Sequence, residues 1–158
     1  MRVAILTISD SVSAGKSQDR SGTSVAARCK DLGWQVVASA VRADDRHAIE
    51  AFLKETADSN QTDLILTTGG TGLGPRDVTP EATAAVVDRV IPGFPEQMRA
   101  AGVAKTPRAI LSRATAGIRG TTIILNLPGS PTGAVESLDV VAGLLPHSVD
   151  VLHGHHHG

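Results

Sequence analysis

Tyrosine is absent from this 158-residue chain, and Trp34, Phe52 and Phe94 are its only aromatic residues. Proteins that grip single-stranded nucleic acid stack bases on aromatic platforms, so that class of function is not expected. Basic runs are missing too: the formal net charge is −1, and no stretch of Lys or Arg exceeds two residues. The electrostatic footprint for duplex nucleic acid or an acidic membrane is therefore absent. Cys29 is the only cysteine, which excludes an intramolecular disulfide and fits a reducing compartment. Set among Val25, Ala26 and Leu32 at helical spacing, it reads as a small core residue. No apolar stretch approaches ~20 residues, so no membrane span is expected. The opening M-R-V-A-I-L-T-I lacks a long h-region or a cleavage pattern, and a cytoplasmic protein is expected.

What is there is an aliphatic, globular chain with 41% hydrophobic residues. At this length it should form one domain, burying roughly two thirds of its unfolded surface. Val3 to Ile8 is a β-branched run without polar alternation, the pattern of a strand covered on both faces. After a polar segment from Ser9 to Gly22, a helix is predicted over Thr23–Leu32 and a strand over Trp34–Val41. A second helix, Asp45–Ala57, carries Ala48, Ile49, Phe52 and Leu53 as an apolar stripe, and Leu64–Thr68 is the third strand. Thr79, Pro80 and Glu81 look like the N-cap and first turn of a helix running to about Ile91. A short helix over Glu96–Ala104, strands over Ala114–Ile118 and Thr121–Leu127, and a last helix from Thr132 to Leu144 with a continuation to Leu152 complete the pattern. The order β-α-β-α-β argues for a three-layer α/β/α domain with a mostly parallel central sheet, spanning residues 1–152. The His-rich tail, 153–158, holds four histidines and is expected to be disordered.

Chemistry concentrates where the third strand ends. D-L-I-L-T-T-G-G-T-G-L-G-P-R-D-V-T-P-E-A-T, Asp63 to Thr83, places four glycines in six residues between a strand and a helix start. Exposed backbone N–H groups and a helix dipole make such a turn an anion cradle. The loop matches neither a Walker A motif, which needs Gly-Lys-Ser/Thr, nor a dinucleotide fingerprint in the first β-α turn. Asp77 would repel a phosphate unless it holds a cation, and Mg²⁺ is the natural candidate. Arg76 reads equally as a phosphate partner or as half of a structural salt bridge. Asp44 and Asp45 follow the second strand; Asp45 resembles a helix N-cap, whereas Asp44 has no evident structural duty. Ser9 and Ser13 after the first strand, and Asn126 to Pro131 after the last, face the same rim. No histidine lies in these rim loops, so Ser-His-Asp hydrolysis is not expected.

These strings resemble the molybdopterin-binding family of molybdenum cofactor biosynthesis. The resemblance rests on T-T-G-G-T-G-L-G-P-R-D-V-T-P-E-A-T (Thr67 to Thr83), S-D-S-V-S-A-G (Ser9 to Gly15), D-R-S-G (Asp19 to Gly22), L-S-R-A-T-A-G-I-R-G (Leu111 to Gly120) and N-L-P-G-S-P (Asn126 to Pro131). It implies transfer of AMP from Mg-ATP to the terminal phosphate of molybdopterin with release of pyrophosphate. It also implies a homotrimer and a molybdenum insertase that accepts the product. Asp77 and Asp44 take the catalytic and Mg²⁺-binding positions by this resemblance, the latter by alignment of Ala43-Asp44-Asp45 on the following helix. Ser112, Gly129 and Ser130 fall to the pterin phosphate side, with Pro128 of the same loop in the expected ligand-binding set. Ser9, Ser13, Gly69, Gly70, Thr71, Gly72, Gly74, Arg76 and Glu81 complete the expected ligand-binding set. The rival readings are a catalytically silent molybdopterin- or nucleotide-binding module, a molybdenum insertase domain, and a pyridine-nucleotide salvage hydrolase.

Overall fold

The computed structural model describes residues 1–155, and the rest of the His-rich tail lies outside the described residues. Its strands are β1 (Arg2–Ile8), β2 (Gln35–Arg42), β3 (Leu64–Thr68), β4 (Arg89–Val90), β5 (Ala116–Arg119) and β6 (Thr122–Leu127). The helices are α1 (Asp10–Ser13), α2 (Arg20–Asp31), α3 (Arg46–Asp58), α4 (Thr79–Val86), α5 (Gly93–Val103), α6 (Pro131–Val141) and α7 (Leu145–Leu152), with 3-10 turns at Pro107–Leu111 and Ala142–Leu144. The six strands form one sheet in the order β2-β1-β3-β6-β5-β4. Pairs β1–β2, β1–β3 and β3–β6 are parallel, and β5 adds to β6 and β4 to β5 antiparallel. The three-layer, mostly parallel architecture expected from the sequence is the one observed.

The strands are apolar on both faces because each face meets helices. Alternate residues serve two separate cores. Val3, Ile5, Leu64, Leu66, Ile123, Leu125 and Leu127 pack with Val25, Cys29, Leu138 and Leu145 on one side. Ala4, Leu6, Ile8, Ile65 and Ile124 pack with Ile49, Leu53, Ala82 and Val86 on the other. Each fully buried aliphatic side chain contributes about 1.5–3 kcal/mol relative to exposure, so this double-sided burial fixes the sheet registers. The registers place Thr7 beside Thr68, Thr68 beside Leu127 and Ile8 beside Arg42, so four strand ends open onto one rim.

Local expectations needed correction in four places. The helix expected over Thr79–Ile91 stops at Val86, where Val87 turns extended (φ −81°, ψ 147°). The β-branched residues that follow prefer a strand, and Arg89–Val90 pairs with Ile118 and Gly117 at the sheet edge. Thr79 is not the N-cap; Val78 holds that position without a side-chain bond. Thr79 is instead the first helical residue, fully buried, with its hydroxyl donating to the Gly69 carbonyl at 2.9 Å. Helix α2 starts at Arg20, earlier than Thr23, because the Asp19 carboxylate caps it by accepting from the Gly22 N–H. The segment after β1 also contains the short helix α1, capped by Ser9.

Candidate functional site

The centre of the rim is a ridge of backbone. Gly69 (φ +105°) and Gly70 (φ +71°) turn the chain out of β3 through conformations that side chains avoid. A Cβ on Gly69 would lie 2.2 Å from the Ile8 carbonyl oxygen, and one on Gly70 would lie 2.2 Å from the Thr79 hydroxyl. The loop after β6 fuses to this turn: the Gly69 N–H donates to Leu127 O at 3.2 Å, and the Thr68 hydroxyl donates to Pro128 O at 2.6 Å. Beneath it, buried Asn126 donates from Nδ2 to the hydroxyls of Thr67 and Thr83, both at 3.0 Å, and accepts from the Thr115 N–H through Oδ1. One amide therefore ties β3, β5, β6 and α4 together under the glycine turn, and among the described residues no buried side-chain nitrogen or oxygen lacks a partner.

A hollow of about 300 Å³ lies on one flank of the ridge, lined by Ser9, Asp44, Gly69, Gly70, Asp77 and Gly129 among others, with Arg20 as its one cationic residue. Asp44 sits in a reciprocal clamp: its Oδ2 accepts the Asp10 N–H, and its own N–H donates to Asp10 Oδ1, both at 3.0 Å. Burial pushes the Asp44 carboxyl above the usual carboxylate range; the Asp10 and Asp77 charges push the same way, and the hydrogen bond from Asp10 only partly offsets them. Asp77 Oδ2 accepts the Gly74 N–H at 2.9 Å and so closes its own loop rather than capping α4. Each aspartate keeps a carboxylate oxygen outside these bonds. Two such carboxylates beside a phosphate cradle suit Mg²⁺, which takes one or two protein carboxylates and fills its shell with phosphate and water. Among the described residues no group of three or more His, Cys, Asp or Glu forms a self-sufficient metal cage.

Arg76 forms the salt bridge that one of its two readings expects. Its Nε and Nη2 donate to Asp10 Oδ2 and Oδ1, both at 3.0 Å, an exposed bidentate pair that holds the Asp10 carboxyl below its usual range. Asp45 is the N-cap of α3, accepting from the His47 N–H at 3.0 Å, so Asp44 is the one of the two that faces the hollow.

The other flank carries a second hollow of about 330 Å³, with Thr71, Ser112, Pro128 and Ser130 on its walls beside Met98 and Leu111. No carboxylate lines it, and its charged residues are Arg99 and Arg108. Arg99 Nη1 donates to the carbonyls of Ser112 (3.3 Å) and Ala114 (3.0 Å), whereas Arg108 has no hydrogen bond or ion pair among the described residues. Ser130 caps α6 by accepting from the Gly133 N–H at 3.0 Å, and Ser112 Oγ accepts from the Ala114 N–H at 3.2 Å.

Of the residues singled out from sequence, Ser9, Asp44, Asp77, Gly69, Gly70 and Gly129 meet in the acidic hollow. Thr71, Gly72, Ser112, Pro128 and Ser130 meet in the cationic one. Ser13 lies instead in a shallow depression with Asp10, Lys16 and Ala43. Gly74 stands back from both hollows and donates to Asp77, and Glu81 stands back paired with Arg113 at 2.6 Å. Sequence reasoning missed Asp10, Arg99, Arg108 and Arg113. Asp10 and Arg113 stand inside the family motifs, but their partners are 32 to 66 residues away in the chain.

Among the described residues the histidines stay away from both hollows, and Cys29 is buried in the core with its thiol pushed up to about 11 by desolvation. Thr7, on the wall of the acidic hollow, donates its hydroxyl to the Asp19 carboxylate that caps α2 (2.9 Å), and no Ser-His or Cys-His hydrogen bond is present among the described residues. The arrangement can position phosphates and neutralise charge, but it offers no covalent attack of its own.

Comparison with known proteins agrees with this geometry. Residues 4–147 match the family described as "probable molybdopterin binding domain". The molybdopterin adenylyltransferase of Helicobacter pylori (strain J99) is 39% identical over 99% of this chain and 90% of that protein. That of Escherichia coli K12 is 38% identical over 98% and 86%. The crystal structure of the molybdopterin biosynthesis enzyme MoaB from Thermus thermophilus superposes with a TM-score of 0.91 at 48% identity, covering 97% of this chain and 96% of that one.

Proposed function

This chain belongs to the molybdopterin-binding domain family, and from that premise we propose that it is a molybdopterin adenylyltransferase acting in molybdenum cofactor biosynthesis. The observation that carries the reading is the pair of hollows, one acidic and one cationic, that share a single glycine ridge. ATP occupies the acidic side, its phosphates on the Gly69–Gly70 turn. Molybdopterin occupies the cationic side, its terminal phosphate directed across the ridge by Ser112, Ser130 and the guanidinium of Arg108.

An oxygen of the molybdopterin phosphate forms a bond to the α-phosphorus of ATP, the bond to the β-phosphate oxygen breaks, and pyrophosphate leaves. The attacking oxygen is already anionic, so no protein base is required. That fits a site whose serines serve as helix cap and turn acceptor rather than as nucleophiles. Asp44 and Asp77 would hold Mg²⁺, which supplies charge neutralisation at the phosphates when bound. The remaining work of the chain is positioning: the ridge fixes the phosphates, the Asp10–Asp44 clamp fixes one carboxylate, and the Gly74 N–H fixes the other. A homotrimer, a cytoplasmic setting suited to the buried free thiol, and delivery of the product to a molybdenum insertase belong to the same proposal.

The test is pyrophosphate release by purified protein given Mg-ATP and molybdopterin together and each alone. Release that requires both substrates is expected. Binding of molybdopterin without an adenylylated product would replace the enzyme reading with that of a silent binding module.

A further inference from the structure

One side chain joins the two hollows. Arg113 follows Ser112 and sits between the 3-10 turn Pro107–Leu111 and strand β5. Its backbone N–H donates to Thr71 O at 2.8 Å. Its guanidinium donates from Nε to Gly72 O (2.8 Å), from Nη2 to Asp77 O (2.7 Å) and from Nη1 to Glu81 Oε2 (2.6 Å). The planar guanidinium holds these N–H groups in a fixed fork, so the departure of the glycine loop at Gly72, its return at Asp77 and the first turn of α4 at Glu81 are set relative to one another. Apart from Arg113, the loop between Gly72 and Asp77 is held by the Arg76 guanidinium on the Asp10 carboxylate and by its own bonds: the Asp77 N–H donates to Gly74 O, and the Gly74 N–H to Asp77 Oδ2. Its tip is exposed, with Leu73 at 66%. On the other side, Arg99 braces the Ser112 and Ala114 carbonyls that flank Arg113.

We propose that Arg113 is a positioning residue that places the Asp77 carboxylate over the glycine ridge and couples it to the Ser112 wall of the opposite hollow. The proposal rests on the adenylyltransferase reading for its kinetic consequence but not for its structural one. Its action is through Asp77 and Ser112, and Glu81 serves it as the counter-charge that orients the guanidinium. Arg113 is 35% exposed, so the carbonyls it leaves behind on removal can be hydrated, and the fold is expected to survive its loss.

The test compares wild type, Arg113→Ala, Arg113→Lys and Glu81→Gln. Amide hydrogen exchange of the ligand-free proteins should show residues 70–77 losing protection in Arg113→Ala while β1, β3 and β6 keep theirs. With Mg-ATP and molybdopterin, kcat should fall roughly a hundredfold, the scale of a small misplacement of a catalytic group, with less change in KM for ATP. Arg113→Lys should not rescue, because one ammonium cannot reach three separated acceptors. Glu81→Gln, which removes the counter-charge that orients the guanidinium, should lower kcat and loop protection in the same direction as Arg113→Ala but by a smaller factor. Unchanged loop protection in Arg113→Ala with kcat within about threefold of wild type would overturn the proposal, since misplacement by an ångström costs far more. Loss of protection in the central strands as well would overturn it in favour of a purely structural role. Failure of Arg113→Ala to fold would overturn it in the same way. If wild type releases no pyrophosphate, the proposed function fails, while the exchange comparison still decides the role of Arg113.

Discussion

The two flanks of the glycine ridge share a backbone and little else. On one, Asp44 and Asp77 face a polar hollow, and the charge of one raises the cost of ionising the other. On the other, Arg99 and Arg108 are the charged groups, against walls of serine, threonine and apolar side chains. A pair of carboxylates on one flank suits a ligand that brings a divalent cation, and a flank without carboxylates suits an anion that arrives without one. Under the adenylyltransferase proposal, the difference gives the two substrates opposite requirements and puts the chemistry where they meet.

That contrast can be broken from either flank. The largest effect is expected from Asp77→Asn, which should lower kcat at least a hundredfold, as the loss of a transition-state contact does, while circular dichroism and Tm stay near wild type. Near-normal turnover at saturating Mg²⁺ would remove Asp77 from its assigned place. Asp44→Asn should cost tens of fold, because the amide oxygen can still accept from the Asp10 N–H while the cation-binding charge is gone. An active Asp44→Asn beside a dead Asp45→Ala would transfer the role to the neighbouring residue.

Arg108→Ala sharpens the other flank: KM for molybdopterin should rise about tenfold, the value of one charge-assisted hydrogen bond, with KM for ATP unchanged. A rise for ATP instead would reverse the two sides. Asp45→Ala should cost about 1 kcal/mol in urea unfolding, as a lost N-cap does, without a kinetic effect. The smallest effect lies remote from both hollows. Above the ordinary thiol range the unfolded chain sheds the Cys29 proton, whereas the folded chain retains it up to about 11. Unfolded molecules then bind fewer protons, so stability should decline as pH rises through that window, and Cys29→Ala should lessen the decline in a pH series of unfolding curves.

Much of this was legible in the chain. The aliphatic runs Val3–Ile8 and Leu64–Thr68 announce strands because residues covered on both faces leave no polar alternation. The glycine turn announces itself because positive φ and close backbone approach leave few alternatives at Gly69 and Gly70. What stayed hidden depends on long-range partners. Arg89–Val90 is a strand only because β5 lies beside it, and Thr79 is buried under Gly69 rather than capping a helix. Glu81 has the look of a ligand in sequence, and only the fold brings it beside Arg113, 32 residues away. Arg76 reads two ways in sequence, and only the fold brings Asp10 beside it.

The most direct measurement follows the α-phosphorus label of ATP in the presence of Mg²⁺ and molybdopterin, in wild type and in Asp77→Asn. The expected result is label transferred to molybdopterin in step with pyrophosphate release by wild type, and almost none by the variant. Both substrates bound by wild type with the label remaining in ATP would contradict a ridge across which an adenylyl group is transferred.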